Sequence, residues 1–140
     1  MSREFRCVFR RDELDRLHPW FDAVGAELHL AAPLAFAVQV AIEEAAGNIA
    51  RHALRPGDLR PIVMSVTGSQ EYLILVVEDE GPPFDPTSAP VSPRPADIAT
   101  AEPGGHGLRL LRHYCPDLRY QRRDGRNVLT MRFRLHPTSA

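Results

Sequence analysis

The chain of 140 residues contains no lysine; all seventeen of its lysine-or-arginine positions are arginine. Wherever a cation lines a site it is therefore a planar fork suited to phosphate or carboxylate. No excess of one charge is present either. The formal net charge is −1, so no global field recruits nucleic acid. Cysteine is scarce: Cys7 and Cys115 stand alone, outside any Cys-x-x-Cys or His/Cys grouping, which argues against a zinc site. Two buried thiols in a reducing compartment are expected instead. No apolar run approaches the roughly 20 residues a membrane-spanning helix needs. The start, Met1-Ser2-Arg3-Glu4-Phe5, shows no signal-peptide apolar region. The expectation is one cytoplasmic domain over residues 1–140, with no membrane and no direct nucleic-acid partner.

Hydrophobic periodicity divides the chain. Phe5, Cys7 and Phe9 alternate with polar residues and predict a first strand. Leu14, Leu17, Phe21, Val24 and Leu28 recur at helical spacing, with Pro19 marking a break or restart. Pro33 opens a second helix that runs to about His52 or Leu54, where Arg55-Pro56-Gly57-Asp58 stops it. Ile62, Met64 and Val66 alternate, a turn follows at Gly68-Ser69-Gln70-Glu71, and residues 72–77 form a dense apolar strand. Prolines then crowd a long loop to about Gly104. A third helix is expected from Gly104, and two last strands flank Asp124-Gly125, a strong hairpin signal. This order predicts an α+β two-layer sandwich, with an antiparallel or mixed sheet of about five strands and three helices on one face.

Three stretches carry chemistry. Glu44, Asn48 and His52 recur every four residues and share one helix face, while Ile42, Ala45, Ile49 and Ala53 point to the core. A carboxylate and an amide one turn apart are hard oxygen donors, able to hold a hydrated Mg²⁺ or orient a hydroxyl beside a phosphate. Glu44 is preferred to Glu43 because it alone lies four residues before Asn48. Asp79-Glu80-Gly81 ends a buried strand; the aspartate there can accept from an exocyclic amine, and Gly81 lets a ring approach the backbone. Gly104-Gly105-His106-Gly107-Leu108 opens a helix with free N–H groups at the positive end of its dipole, a phosphate cradle in form. It is neither a P-loop nor a dinucleotide fingerprint, because the Lys-Ser/Thr pair and the βαβ unit are missing. Singly, each stretch is also an ordinary helix face, turn or helix start.

Taken in order, these stretches resemble the N, G1 and G2 boxes of the GHKL ATP-binding superfamily (the Bergerat fold). Within it, Glu44-Ala45-Ala46-Gly47-Asn48, Asp79-Glu80-Gly81-Pro82-Pro83-Phe84-Asp85-Pro86 and Gly104-Gly105-His106-Gly107-Leu108 are similar to the RsbW-type anti-sigma-factor serine kinases of bacterial partner-switching systems. The ending, Asp124-Gly125-Arg126-Asn127-Val128-Leu129-Thr130-Met131, is similar to that family's last hairpin. Pro83-Phe84 replaces the second glycine of the wider superfamily, which points away from sensor histidine kinases.

The resemblance implies a protein serine/threonine kinase that uses ATP and Mg²⁺. It would bind a sigma factor and phosphorylate a serine on an anti-anti-sigma antagonist. The alternative is a nucleotide-gated protein-binding regulator without kinase activity. The resemblance further implies that Glu44 is the general base and that Asn48 coordinates Mg²⁺ on the ATP phosphates. Asp79 would bind the adenine amine with Thr130 close by, and Gly81 would make room for the ring. Gly105, His106, Gly107 and Leu108 would hold the phosphates, residues 87–104 would form the ATP lid, and the chain would be a homodimer. His52 is read as structural, and Arg109 and Arg112 as solvated.

Overall fold

The computed structural model describes residues 1–52, 54–55, 57–86, 115 and 117–135. The expected lid (87–104), the glycine-rich helix start, Arg109, Arg112 and Ala53 lie outside the described residues.

The strand Tyr72–Asp79 (β3) organises the sheet. Its residues alternate in burial, with Leu73, Leu75, Val77 and Asp79 all buried on one face. A period of two is what a strand covered on one face requires. Ile62–Gly68 (β2) pairs with it on one side and Arg126–Arg134 (β5) on the other. Ser2–Cys7 (β1) and Asp117–Arg123 (β4) form the edges, and the order is β1-β2-β3-β5-β4. Every pairing is antiparallel. The α+β two-layer expectation is borne out, with the sheet antiparallel rather than mixed. The β4–β5 hairpin turns at Asp124 (φ 53°) and Gly125 (φ 74°). Two positive φ values in a two-residue loop make a type I′ turn, the reason Asp-Gly is read so readily as a hairpin.

Three helices precede β2: Arg11–Leu14 (α1), Leu17–Glu27 (α2) and Ala32–His52 (α3). The break between α1 and α2 falls at Asp15 and Arg16, not at Pro19 itself. In an unbroken helix the Pro19 ring would press on the Asp15 carbonyl, four residues back, whereas in the first turn of α2 its missing N–H costs nothing. α2 ends with His29 at φ 53°, as Leu30 N–H donates to the Gly25 carbonyl and His29 N–H to that of Ala26. The third predicted helix, from Gly104, lies outside the described residues.

The core lies between these helices and one face of the sheet. α3 contributes Leu34, Ala37, Val38, Ala41, Ile42, Ala45 and Ile49, and α2 adds Phe21 and Val24. Met64, Val66, Leu75, Met131 and Phe133 oppose them from the strands. Alanines at 37, 41 and 45 keep one stripe of α3 short, so its backbone can lie near the sheet. The end of this layer at Asp79 and Asn48 is where polar residues replace apolar ones.

Candidate functional site

Asp79 is the last residue of β3 and continues the helix-facing row of Leu75 and Val77. Register sets it directly between Ile62 of β2 and Asn127 of β5. It is 6 % exposed. Asp79 Oδ1 accepts two hydrogen bonds, from the Gly81 N–H and from Asn127 Nδ2, both at 2.9 Å. Both fix the carboxylate in one orientation. Oδ2 takes no hydrogen bond among the described residues, yet it is not a sealed-off atom.

Asn127 is the hub of this corner. Its Nδ2 also donates to the Pro82 carbonyl at 2.9 Å, while its Oδ1 accepts from the Phe84 N–H at 3.1 Å and from the Tyr120 hydroxyl. Arg122 donates to the Gly81 carbonyl at 2.7 Å and Arg60 to the Glu80 carbonyl at 2.9 Å. The turn after β3 is thereby held carbonyl by carbonyl. Arg60 is itself locked on Asp58, whose carboxyl these hydrogen bonds hold down to about 2.

An open cleft lies beside this network. Ala45, Asn48 and Ile49 of α3 form one wall, and Val77, Asp79, Leu129 and Asn127 of the sheet another. Phe84 and Pro86 close it from the loop, and Tyr120 from β4. The lining is apolar apart from a few groups, and Asp79 is its one carboxylate among the described residues. A flat heteroaromatic ring carrying an amine suits such a slot: the ring faces Ile49, Val77 and Leu129, and the amine donates to Asp79 Oδ2. A ring with a carbonyl in that place would set two acceptors against each other.

Asn48 stands in the α3 wall, half-buried. Its Oδ1 accepts from Arg51 Nη2 at 2.8 Å. Gly47 leaves room for that contact, because a Cβ there would lie 3.2 Å from Arg51 Nη1. No group of three or more His, Cys, Asp or Glu able to hold a metal occurs among the described residues. Asn48 alone offers one hard oxygen, which fits a cation that brings most of its ligands as phosphate and water oxygens. Glu44, one turn before Asn48, is half-buried and is not part of the cleft wall. His52 stacks on Phe84, ring centroids 4.0 Å apart and planes 13° from parallel, joining the end of α3 to the loop.

The structure thus brings together Asn48, Asp79 and the Gly81 turn. It does not bring Thr130 to them. Thr130 pairs with Val76 and Arg119, which puts it on the face of β5 away from the helices, three residues along from Asn127. Asn127 occupies the place beside Asp79, and sequence reading assigned it no role. A polar residue opening the run Asn127-Val128-Leu129 was the available signal. Gly105, His106, Gly107 and Leu108 lie outside the described residues.

Two comparisons bear on this arrangement. Residues 9–133 match the family described as histidine kinase-like ATPase domain. The serine/threonine-protein kinase BtrW of Bordetella bronchiseptica is 37 % identical over 120 residues, covering 86 % of this chain and 84 % of that relative.

Proposed function

The chain belongs to the histidine kinase-like ATPase domain family, and from that membership we propose that it is an ATP-dependent protein serine kinase. The observation that carries the reading is Asp79, buried, held by two hydrogen bonds to Oδ1 and keeping Oδ2 for an adenine amine. The similarity to a serine/threonine-protein kinase over most of both chains supports the choice of a protein serine as acceptor.

Phosphoryl transfer asks chiefly for positioning and charge neutralisation. In this proposal Asp79 and the apolar walls at Ile49 and Leu129 fix the base, which aims the triphosphate along α3 toward Asn48. Mg²⁺, held partly by Asn48 Oδ1, supplies neutralisation of the phosphate charge. Gly105, His106, Gly107 and Leu108 hold phosphate oxygens under a lid formed by residues 87–104. Glu44 takes the proton from the serine Oγ as that oxygen bonds to the γ-phosphorus and the bond to ADP breaks. The phosphorylated protein is an anti-anti-sigma antagonist, and the same chain holds a sigma factor when the antagonist is phosphorylated. It works in the cytoplasm as a homodimer. No helix among the described residues is long and apolar enough to cross a membrane.

Radiolabelled γ-phosphate transfer to antagonist proteins tests the reading. Wild type transfers, whereas Glu44→Ala and Asn48→Ala lose transfer. Undiminished transfer by both variants would remove their assigned roles.

The alternative is a nucleotide-gated binding module without kinase activity, which would use the same Asp79 cleft. A single-turnover experiment with ATP bound and antagonist in excess separates the two, because the binding module yields no phosphoprotein.

A further inference from the structure

Glu44, Asn48 and His52 share one face of α3, and the proposed reaction uses only the first two. His52 is the last residue of α3, and its side chain is exposed. Among the described residues it makes no hydrogen bond and no ion pair. What it touches is the Phe84 ring, with centroids 4.0 Å apart and planes 13° from parallel. An exposed imidazole with no polar partner ordinarily samples several rotamers. Here one rotamer is held, and an aromatic ring holds it.

Phe84 has the complementary need. The turn after β3 is fixed through its main chain. The Gly81 N–H donates to Asp79, the Gly81 carbonyl accepts from Arg122, and the Pro82 carbonyl accepts from Asn127. The Phe84 N–H donates to Asn127 Oδ1 at 3.1 Å. None of these bonds reaches the Phe84 side chain, whose χ1 and χ2 they leave open. Yet that half-buried ring lines the cleft beside Asp79. A different rotamer would take it off the cleft wall. The stack on His52 selects one rotamer, and it does so from α3, the element that carries Asn48 and Ile49 into the same cleft.

We propose that His52 is a positioning residue for the nucleobase. It holds Phe84 as a wall of the cleft, so that the base packs on Phe84 while its amine meets Asp79. The assignment rests on the nucleotide reading above. It gives His52 to the base end of the ligand, although Asn48, one turn back, is given to the phosphates. A wall set before the ligand arrives removes the ordering cost that binding would otherwise carry. The chemistry asked of residue 52 is a flat ring, not a proton or a hydrogen bond.

The test is titration of the full chain with adenosine, followed by NMR, and with ATP and Mg²⁺, followed by calorimetry. His52→Ala and His52→Gln should weaken both ligands by the same factor, about three- to tenfold. His52→Phe, which keeps a flat ring and loses both ring nitrogens, should return both affinities to within about twofold of wild type. Urea midpoints of the three variants should match wild type, because the side chain is exposed. In the ligand-free protein, Phe84→Leu should move the His52 ring-proton resonances by removing the stacked ring. Loss confined to ATP with adenosine unchanged would put His52 at the phosphates and overturn the proposal. Rescue by Gln rather than Phe, or unmoved ring resonances in Phe84→Leu, would overturn it too. Wild type that binds neither ligand overturns the nucleotide reading and this assignment with it. Wild type that binds both, with His52→Ala equal to it, overturns the assignment alone.

Discussion

Asn127 and Asp79 stand opposite each other in β5 and β3, and Asn127 Nδ2 donates to Asp79 Oδ1 at 2.9 Å. The carboxylate that would read a base is thus oriented by strand register before any ligand arrives. All the hydrogen-bonding capacity of Asn127 is spent inside the protein, on Asp79, Pro82, Phe84 and Tyr120. It is a positioning residue, and Asp79 is the one with an acceptor to spare.

Asn127→Leu keeps the approximate shape and strips that network. The Pro82 carbonyl, the Phe84 N–H and one Asp79 oxygen then lose their partner. A fall of about 2–4 kcal/mol in unfolding free energy is expected from urea titrations. ATP affinity should fall with it, because Asp79 is freed to rotate. A stable variant with unaltered ATP affinity would contradict the positioning role.

Arg51 holds Asn48 Oδ1, the oxygen proposed for Mg²⁺. The pair is exposed, and such contacts are weak. Arg51→Ala should lower the Mg²⁺ concentration needed for half-maximal ATP binding by about two- to fivefold. The measurement is calorimetric binding of ATP across a Mg²⁺ series. An unchanged or higher requirement would show that Arg51 does not compete for Asn48.

Much of the fold was legible because its signals are local. The alternation in β3, the Asp-Gly turn and the stripe of Ile42, Ala45 and Ile49 each depend on neighbours in sequence. Asp79 and Asn48 were legible for the same reason, each fixed by its own strand end or helix turn. Asn127 was not, because its role exists only once β5 lies beside β3 in one register. Thr130 was assigned to the adenine by resemblance, and the alternation of β5 turns it to the other face. The break before α2 falls at Asp15 because Pro19 acts on a carbonyl four residues away.

Burial pushes the thiols of Cys7 and Cys115 up to about 11, with Glu13 adding to the effect at Cys7. At pH 8 both are protonated and covered, so an aromatic disulfide reagent should leave the native protein unmodified and label two thiols in urea. The folded values lie above the ordinary 9.0. As pH rises past that value the unfolded chain releases its protons first, and stability falls until about 11. The urea midpoint in reducing buffer should therefore be lower at pH 10 than at pH 8. Rapid labelling of the native protein at pH 8 would contradict the burial.

The central claim is that Asp79 Oδ2 accepts the amine of adenine, and calorimetric titration of ATP into wild type and Asp79→Asn tests it most directly. Asparagine keeps the size of the side chain and turns an acceptor pair into an amide. The account predicts that wild type binds ATP and that the variant, still folded, binds it about ten- to a hundredfold more weakly, the worth of one hydrogen bond to a charged group. Equal affinity in the two proteins, or no binding by wild type, would contradict it.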